Sequence, residues 1–323
     1  MKKSIALSLL LALSFPVSQA YAEEGPSTYR ISGMDRYETS ANLSYEGWET
    51  SNIAVLATGS NYPDALSATP LAYKYDAPLL LTTGKSLPAS IKEEITRLGV
   101  KEVYVIGGIS IISAEVEKQL KGLGVSKITR ISGADRYETS VKIAKKIGSS
   151  EGIVVAAGQS FADALSIAPV AAILETPILL TKKNELPNSV KDYVKTLGSE
   201  NFSFVIGGEG VISKKVMSSL PDPERLSGAD RYETNSEIIS YFADAEILDM
   251  DYPFIATGKN FPDALSASAF AAATFNGVIL TDPVSPKPTT KSTIKEYRPY
   301  VDEYIIVGGK GVLPDSTINK LIQ

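Results

Sequence analysis

At 323 residues the chain has room for about two domains or three small ones, and 44% hydrophobic with 21% charged residues excludes wholesale disorder, collagen and coiled coil. It contains neither histidine nor cysteine, which excludes Ser-His-Asp and Cys-His nucleophiles, His- or Cys-ligated zinc, disulfides and thiol redox chemistry. The formal charge of −5 lacks the basic footprint that a nucleic-acid partner needs.

Residues 1–22 read as a secretory signal: basic Lys2-Lys3, an apolar run from Ile5 to Phe15, then Ala20-Tyr21-Ala22 as the cleavage site. The run is shorter than the ~20 residues a membrane span requires, so a secreted chain with no span after cleavage is expected. Losing Lys2 and Lys3 leaves 30 basic against 37 acidic residues, a formal charge of −7. Further on, Ile53 to Ala57 predicts a strand, Tyr62 to Lys74 a helix, Pro78 to Leu81 a strand and Pro88 to Leu98 a helix. Val103 to Ile106 (strand), Ser113 to Leu120 (helix) and Lys127 to Ile131 (strand) continue the alternation. The strands are unbroken apolar runs, as in a sheet covered on both faces, so the predicted fold class is α/β with mainly parallel sheets and right-handed crossovers.

The pattern occurs three times. Arg30-Ile-Ser-Gly-Met-Asp-Arg-Tyr-Glu-Thr39 returns as residues 130–139 and 225–234, at offsets of 100 and 95. Three more blocks follow in constant order. They are Pro63-Asp64-Ala-Leu-Ser67 with 162–166 and 262–266, Pro78-Leu-Leu-Leu-Thr82 with 177–181 and 277–281, and Val105-Ile-Gly-Gly108 with 205–208 and 306–309. A period near 100 suits one small domain per copy: modules at 29–125, 126–221 and 222–323. Gly122-Leu-Gly124 and Pro221-Asp-Pro223 read as the linkers between them, short enough for the modules to pack in a quasi-threefold arrangement.

In such sheets ligands bind outside the carboxyl ends of the strands, where Thr58-Gly59, Gly107-Gly108 and Asp64 fall. Asp64, Asp163 and Asp263 are candidates for helix capping or for a site. Of eight arginines, six stand in the repeated block: Arg30, Arg36, Arg130, Arg136, Arg225 and Arg231. Lysine supplies the other positive charge, so arginine is used where a planar fork is needed. Two uses are open: pairing with those aspartates to weld module to module, or lining grooves that bind an anionic ligand. Tyr37, Tyr137 and Tyr232 can stack on sugar rings or pack internally. Paired carboxylates suffice for glycoside cleavage, but a catalytic pair is unique, whereas every candidate here recurs; three equivalent sites suit a multivalent binder. No catalytic residue, metal site or cofactor is expected.

Together the four blocks resemble the type 2 cell wall-binding repeat of Gram-positive bacteria, over about Tyr29 to Gln323. The resemblance implies toprim-like or Rossmann-like modules packed as a triangle that hold secreted proteins noncovalently on an anionic secondary wall polymer. It further implies surface-layer proteins as second partners and the cell wall or surface layer as the location. It also implies that the motif arginines and aspartates stand near module interfaces and polymer grooves. Ala162 and Gly277 depart from the pattern by replacing prolines, and 33 residues separate Asp230 from Asp263 against 29 and 28 in the other copies. The competing readings are a wall hydrolase acting through paired carboxylates and a purely structural surface-layer subunit.

Overall fold

In the computed structural model, residues 25–323 are described; the leader read over residues 1–22 lies outside them. Apolar runs and helical periods alternate along the chain. The first third forms β1 (Ser27–Ile31), α1 (Arg36–Gly47), β2 (Ile53–Thr58), α2 (Thr69–Lys74), β3 (Leu79–Thr82), α3 (Ala89–Leu98), β4 (Glu102–Ile106) and α4 (Ala114–Gly122). The second forms β5 (Lys127–Ile131), α5 (Arg136–Ile147), β6 (Gly152–Ala157), α6 (Ala162–Ile173), β7 (Ile178–Thr181), α7 (Asn188–Val194), β8 (Phe202–Ile206) and α8 (Lys214–Met217). The third forms β9 (Pro223–Leu226), α9 (Arg231–Asp244), β10 (Phe254–Thr257), α10 (Pro262–Ala273), β11 (Val278–Thr281), α11 (Pro288–Tyr297), β12 (Glu303–Val307) and α12 (Asp315–Ile322).

Three four-stranded parallel sheets result, ordered β3-β2-β4-β5, β7-β6-β8-β9 and β11-β10-β12-β1. Their central strands are largely buried, as their predominantly apolar sequences require. The strand that opens each sequence repeat completes the sheet of another repeat: β5 pairs with β4, β9 with β8, and β1 closes the circle on β12, with Ser27 opposite Glu303 and Ile31 opposite Val307. The helix after each such strand covers the next sheet: α1 packs on β3, α5 on β7 and α9 on β11. Residues 122–124 and 221–223, read as linkers, join a helix to a strand of the same sheet. The chain crosses between modules instead at the Ser-Gly-x-Asp turns.

Helices α2, α6 and α10 pack on one another at the centre. α6 and α10 are predominantly apolar on all sides, which is the composition of a helix buried all round, and α2 buries Thr69 to Ala72 before ending in the exposed Lys74. Thr69 and Ser268 exchange a buried hydrogen bond of 2.7 Å between the first and third modules. Tyr62, Phe161 and Phe261, one from each copy, meet with ring centroids 5.5, 5.6 and 6.3 Å apart, an aromatic plug on the quasi-threefold axis. The helix expected over Tyr62 to Lys74 is broken into a short 3-10 turn at Ala65–Ser67 and α2. Pro70, which has no N–H to give to a preceding carbonyl, sits in the first turn of α2, whereas the equivalent Pro169 is carried inside α6.

Because β1 closes the ring, a residue at one end of the sequence holds the last sheet. Ile31 is 4% exposed. Ile31→Ala is expected to lower the unfolding free energy by about 2–4 kcal/mol, read by denaturant titration. A change below about 0.5 kcal/mol would mean that the β1–β12 seam carries no stability.

Candidate binding site

Each repeated block is a device for starting a helix at a module junction. Asp35 caps α1, its carboxylate accepting from the backbone N–H groups of Tyr37 and Glu38, while Glu38 reaches back to the N–H of Met34 at 2.8 Å. Thr39 accepts from the N–H of Gly33 and donates to the carbonyl of Asp35. Asp135 with Glu138, and Asp230 with Glu233, repeat this capping box. Gly33, Gly133 and Gly228 are required because a Cβ there would collide with the glutamate that reaches back. Sequence reading missed α1, α5 and α9, although the Asp-x-x-Glu spacing was its available signal.

The six arginines divide into two sets. Arg30, Arg130 and Arg225 lie on the swapped strands and donate to the carbonyls of Gly308, Gly107 and Gly207, the first glycine of each Gly-Gly pair. Each makes a second contact as well: Arg30 pairs with Asp315 at 2.9 Å, Arg130 with Glu117 at 2.7 Å, and Arg225 donates to the carbonyl of Ile212. These three seal each sheet. Arg36, Arg136 and Arg231, at the first position of α1, α5 and α9, each spend one N–H on the carbonyl of Gly59, Gly158 or Gly258, at 2.5, 2.5 and 2.7 Å. Among the described residues their other N–H groups make no hydrogen bond, and no carboxylate oxygen lies within 4 Å of them. Direct ion-pair welding with Asp64, Asp163 and Asp263 is therefore replaced by a carbonyl contact, with the aspartates standing further off.

Those aspartates face the arginines cyclically: Asp64 feels the charge of Arg136, Asp163 that of Arg231, and Asp263 that of Arg36. Each stands at the point where the strand order reverses, between the loops after β2 and β4 or their equivalents, where open parallel sheets present a crevice. A cleft of about 260 Å³ lined by Thr58, Asp64, Gly108, Asp135 and Arg136 lies there at the first junction. One of about 360 Å³, lined by Asp35, Arg36, Asn260, Asp263 and Gly309, lies where the third module meets the first. At the second junction Arg231 lies over the ring of Phe161, 5.1 Å from its centroid.

Gly107, Gly207 and Gly308 adopt φ of 112°, 105° and 103°, and a Cβ on them would lie 3.1, 2.7 and 2.6 Å from the neighbouring Asp carboxylate. Glycine thus serves both the turn and the close approach of the carboxylate. Neither Asp163 nor Asp263 makes a side-chain capping bond. Burial pushes both carboxyl groups up to about 6 despite the opposing guanidinium, and it also raises Asp64. Tyr137 and Tyr232 are buried, and Tyr37 is half-buried. Their rings lie against Gly59, Gly158 and Gly258, where a Cβ would meet the ring edge, so the tyrosines brace the strand-to-helix turns. Among the described residues no group of three or more carboxylates stands in metal-binding proximity, and no helix is long and apolar enough to cross a membrane.

The family Cell wall binding domain 2 (CWB2) matches the chain three times, over residues 30–117, 130–217 and 225–318. The chain belongs to the CWB2 family. Its CWB2 region is similar to the N-acetylmuramoyl-L-alanine amidase LytC of Bacillus subtilis, 32% identical over 91% of this chain and 58% of that protein. It is also similar to the amidase enhancer of the same organism, 33% identical over 86% of this chain and 38% of that protein. Among solved structures, Cwp6 and Cwp8 from Clostridium difficile superpose with TM-scores of 0.85 and 0.80, each at 28% identity. They cover 93% and 92% of this chain and 48% and 52% of theirs. The chain thus spans about two fifths to three fifths of these relatives, and it shares its three-module α/β architecture with Cwp6 and Cwp8.

The raised aspartates make a signed prediction. A carboxyl whose folded pKa of about 6 exceeds its unfolded value of 3.8 stabilises the fold fully below pH ~4, and that stability is lost as pH rises through 6. Unfolding free energy is expected to fall between pH 4 and 6. In Asp163→Asn and Asp263→Asn the slope should flatten, with each variant about 1–3 kcal/mol more stable than the parent at pH 7. Variants less stable than the parent at pH 7 would mean that the ionised carboxylates hold the junctions together.

Proposed function

We propose that the three module junctions, two of them open as clefts, are equivalent sites for successive units of an anionic cell wall polymer, and that the protein is a noncatalytic, wall-attached module of the cell surface. One observation carries this reading. Arg36 and Arg136 are each fixed by a single carbonyl and keep the rest of their guanidinium fork uncommitted beside a cleft, and at the second junction Arg231 is held by the equivalent carbonyl while its guanidinium lies over Phe161. A fork held in this way is preorganised for a phosphate or carboxylate. Opposite the guanidinium, the buried carboxylate of Asp163 or Asp263 accepts no side-chain hydrogen bond among the described residues, which suits it to the hydroxyl groups of a sugar or polyol unit. Three such contacts on one rigid triangle bind a repeating chain with an avidity roughly 10²–10⁴ times that of a single cleft. CWB2 relatives with different printed names, an amidase, an amidase enhancer and two Cwp proteins, share this region. That supports attachment as the common role and the wall as the location.

Each cleft also holds two carboxylates to one guanidinium, Asp64 and Asp135 with Arg136, and Asp35 and Asp263 with Arg36. Attraction of an anion is therefore weakened while all are ionised, and protonation of the raised aspartate favours binding. Retention on native walls is expected to rise as pH falls from 7.5 to 5.5. It should drop about tenfold or more in Arg136→Ala/Arg231→Ala, be lost on walls stripped of anionic polymer, and weaken with salt. Unchanged retention in that variant, with an unchanged melting temperature, would remove the arginines from binding. A lytic band in peptidoglycan zymography would favour the hydrolase reading instead.

A further inference from the structure

The second module differs from the other two on its outer face. Ser113 precedes Arg130 by 17 residues, whereas the equivalent Ser213 precedes Arg225 by 12. These five missing residues are the difference between the two repeat offsets. The deletion shortens α8 to four residues against nine in α4, and its neighbour α7 has seven against ten in α3. In the first module the equivalent side chains are covered: Leu87, Ile95 and Leu98 are at most 3% exposed, and Gln119 of α4 accepts from the N–H of Leu87. At the same positions in the second module, Leu186, Val194 and Leu197 are only half-buried. They line a groove of about 800 Å³ between α7 and α8. In the third module the corresponding Ile294 and Tyr297 are buried again.

The rim of this groove is basic. Lys191, Lys195 and Lys215 line it, and Lys215 stands where the first module has Glu115. Lys195 is paired with Asp192 at 2.9 Å, and the groove's Glu185 with Lys182 at 2.7 Å. Lys191 and Lys215 have no carboxylate within 4 Å among the described residues. An uncovered apolar floor with two unneutralised ammonium groups, on a chain of net charge −5, complements a ligand that is apolar on one side and acidic on the other. Aromatic rings, which would stack on sugars, do not line the groove.

We propose that the α7–α8 groove is a docking site for an acidic amphipathic peptide segment of another protein, laid in as a helix with apolar anchors at i, i+3 and i+4. It is separate from the junction clefts and does not depend on their polymer. The test is selection of a random twelve-residue peptide display library on the full chain, with counter-selection on Ser218→Trp, which blocks the groove mouth from an exposed position. Enriched peptides are expected to carry Asp or Glu beside helically spaced Leu, Ile or Phe. In fluorescence polarisation their affinity should fall about tenfold or more in Lys191→Glu/Lys215→Glu, while retention on native walls stays at the parental level in both variants. The absence of enrichment over the Ser218→Trp counter-selection would overturn the proposal. So would enrichment of basic peptides, or loss of wall retention in the lysine variant, which would make the groove part of the polymer surface.

Discussion

Strand exchange between successive repeats is the constraint from which the rest of the molecule follows. Each sheet takes its fourth strand from another repeat, and β1 returns to β12. Every junction is thereby crossed by a parallel ladder whose backbone groups have no other partner, and leaving such groups unpaired is costly. The three sheets are therefore fixed relative to one another, and α2, α6 and α10 are driven together in the middle, where no water remains to reward a polar face. The arrangement also puts the Ser-Gly-x-Asp turn of each repeat at a junction, so a motif that looks local in sequence spans two modules.

Placed there, the two arginines of each repeat serve different ends. The first, half-buried against the Gly-Gly carbonyl, completes the sheet to which its strand belongs. The second starts a helix on the next module, binds the carbonyl of the Thr-Gly or Ala-Gly turn and faces the aspartate of the preceding module. A buried carboxylate opposite a half-committed guanidinium is a costly arrangement for stability alone. It recurs at all three junctions, with Asp163 and Asp263 buried and Asp64 half-buried, and the binding role proposed for the clefts accounts for that cost.

Much of this was legible in the sequence. Unbroken apolar runs such as Ile53–Ala57 gave the strands to within a residue or two, and the four ordered blocks gave the three copies. The pairing of β1 with β12 was not legible, because apolar spacing says which face a strand buries but not whose sheet it joins. The repeated arginines read as a need for a planar fork, and all six reach a backbone carbonyl that no sequence pattern displays, Arg30 and Arg130 pairing with a carboxylate besides. The aromatic-x-Asp spacing of Tyr62, Phe161 and Phe261 and the shorter second offset were both present in the sequence; their meanings, the axial plug and the uncovered groove, depended on neighbours distant in the chain.

Hydrogen exchange of the described region with and without purified wall polymer tests the central claim most directly. The account predicts protection at all three junctions together, in the Gly-x-Asp-Arg turns and in the Gly-Gly loops after β4, β8 and β12. Protection confined to the outer helices, or to one module alone, would contradict it.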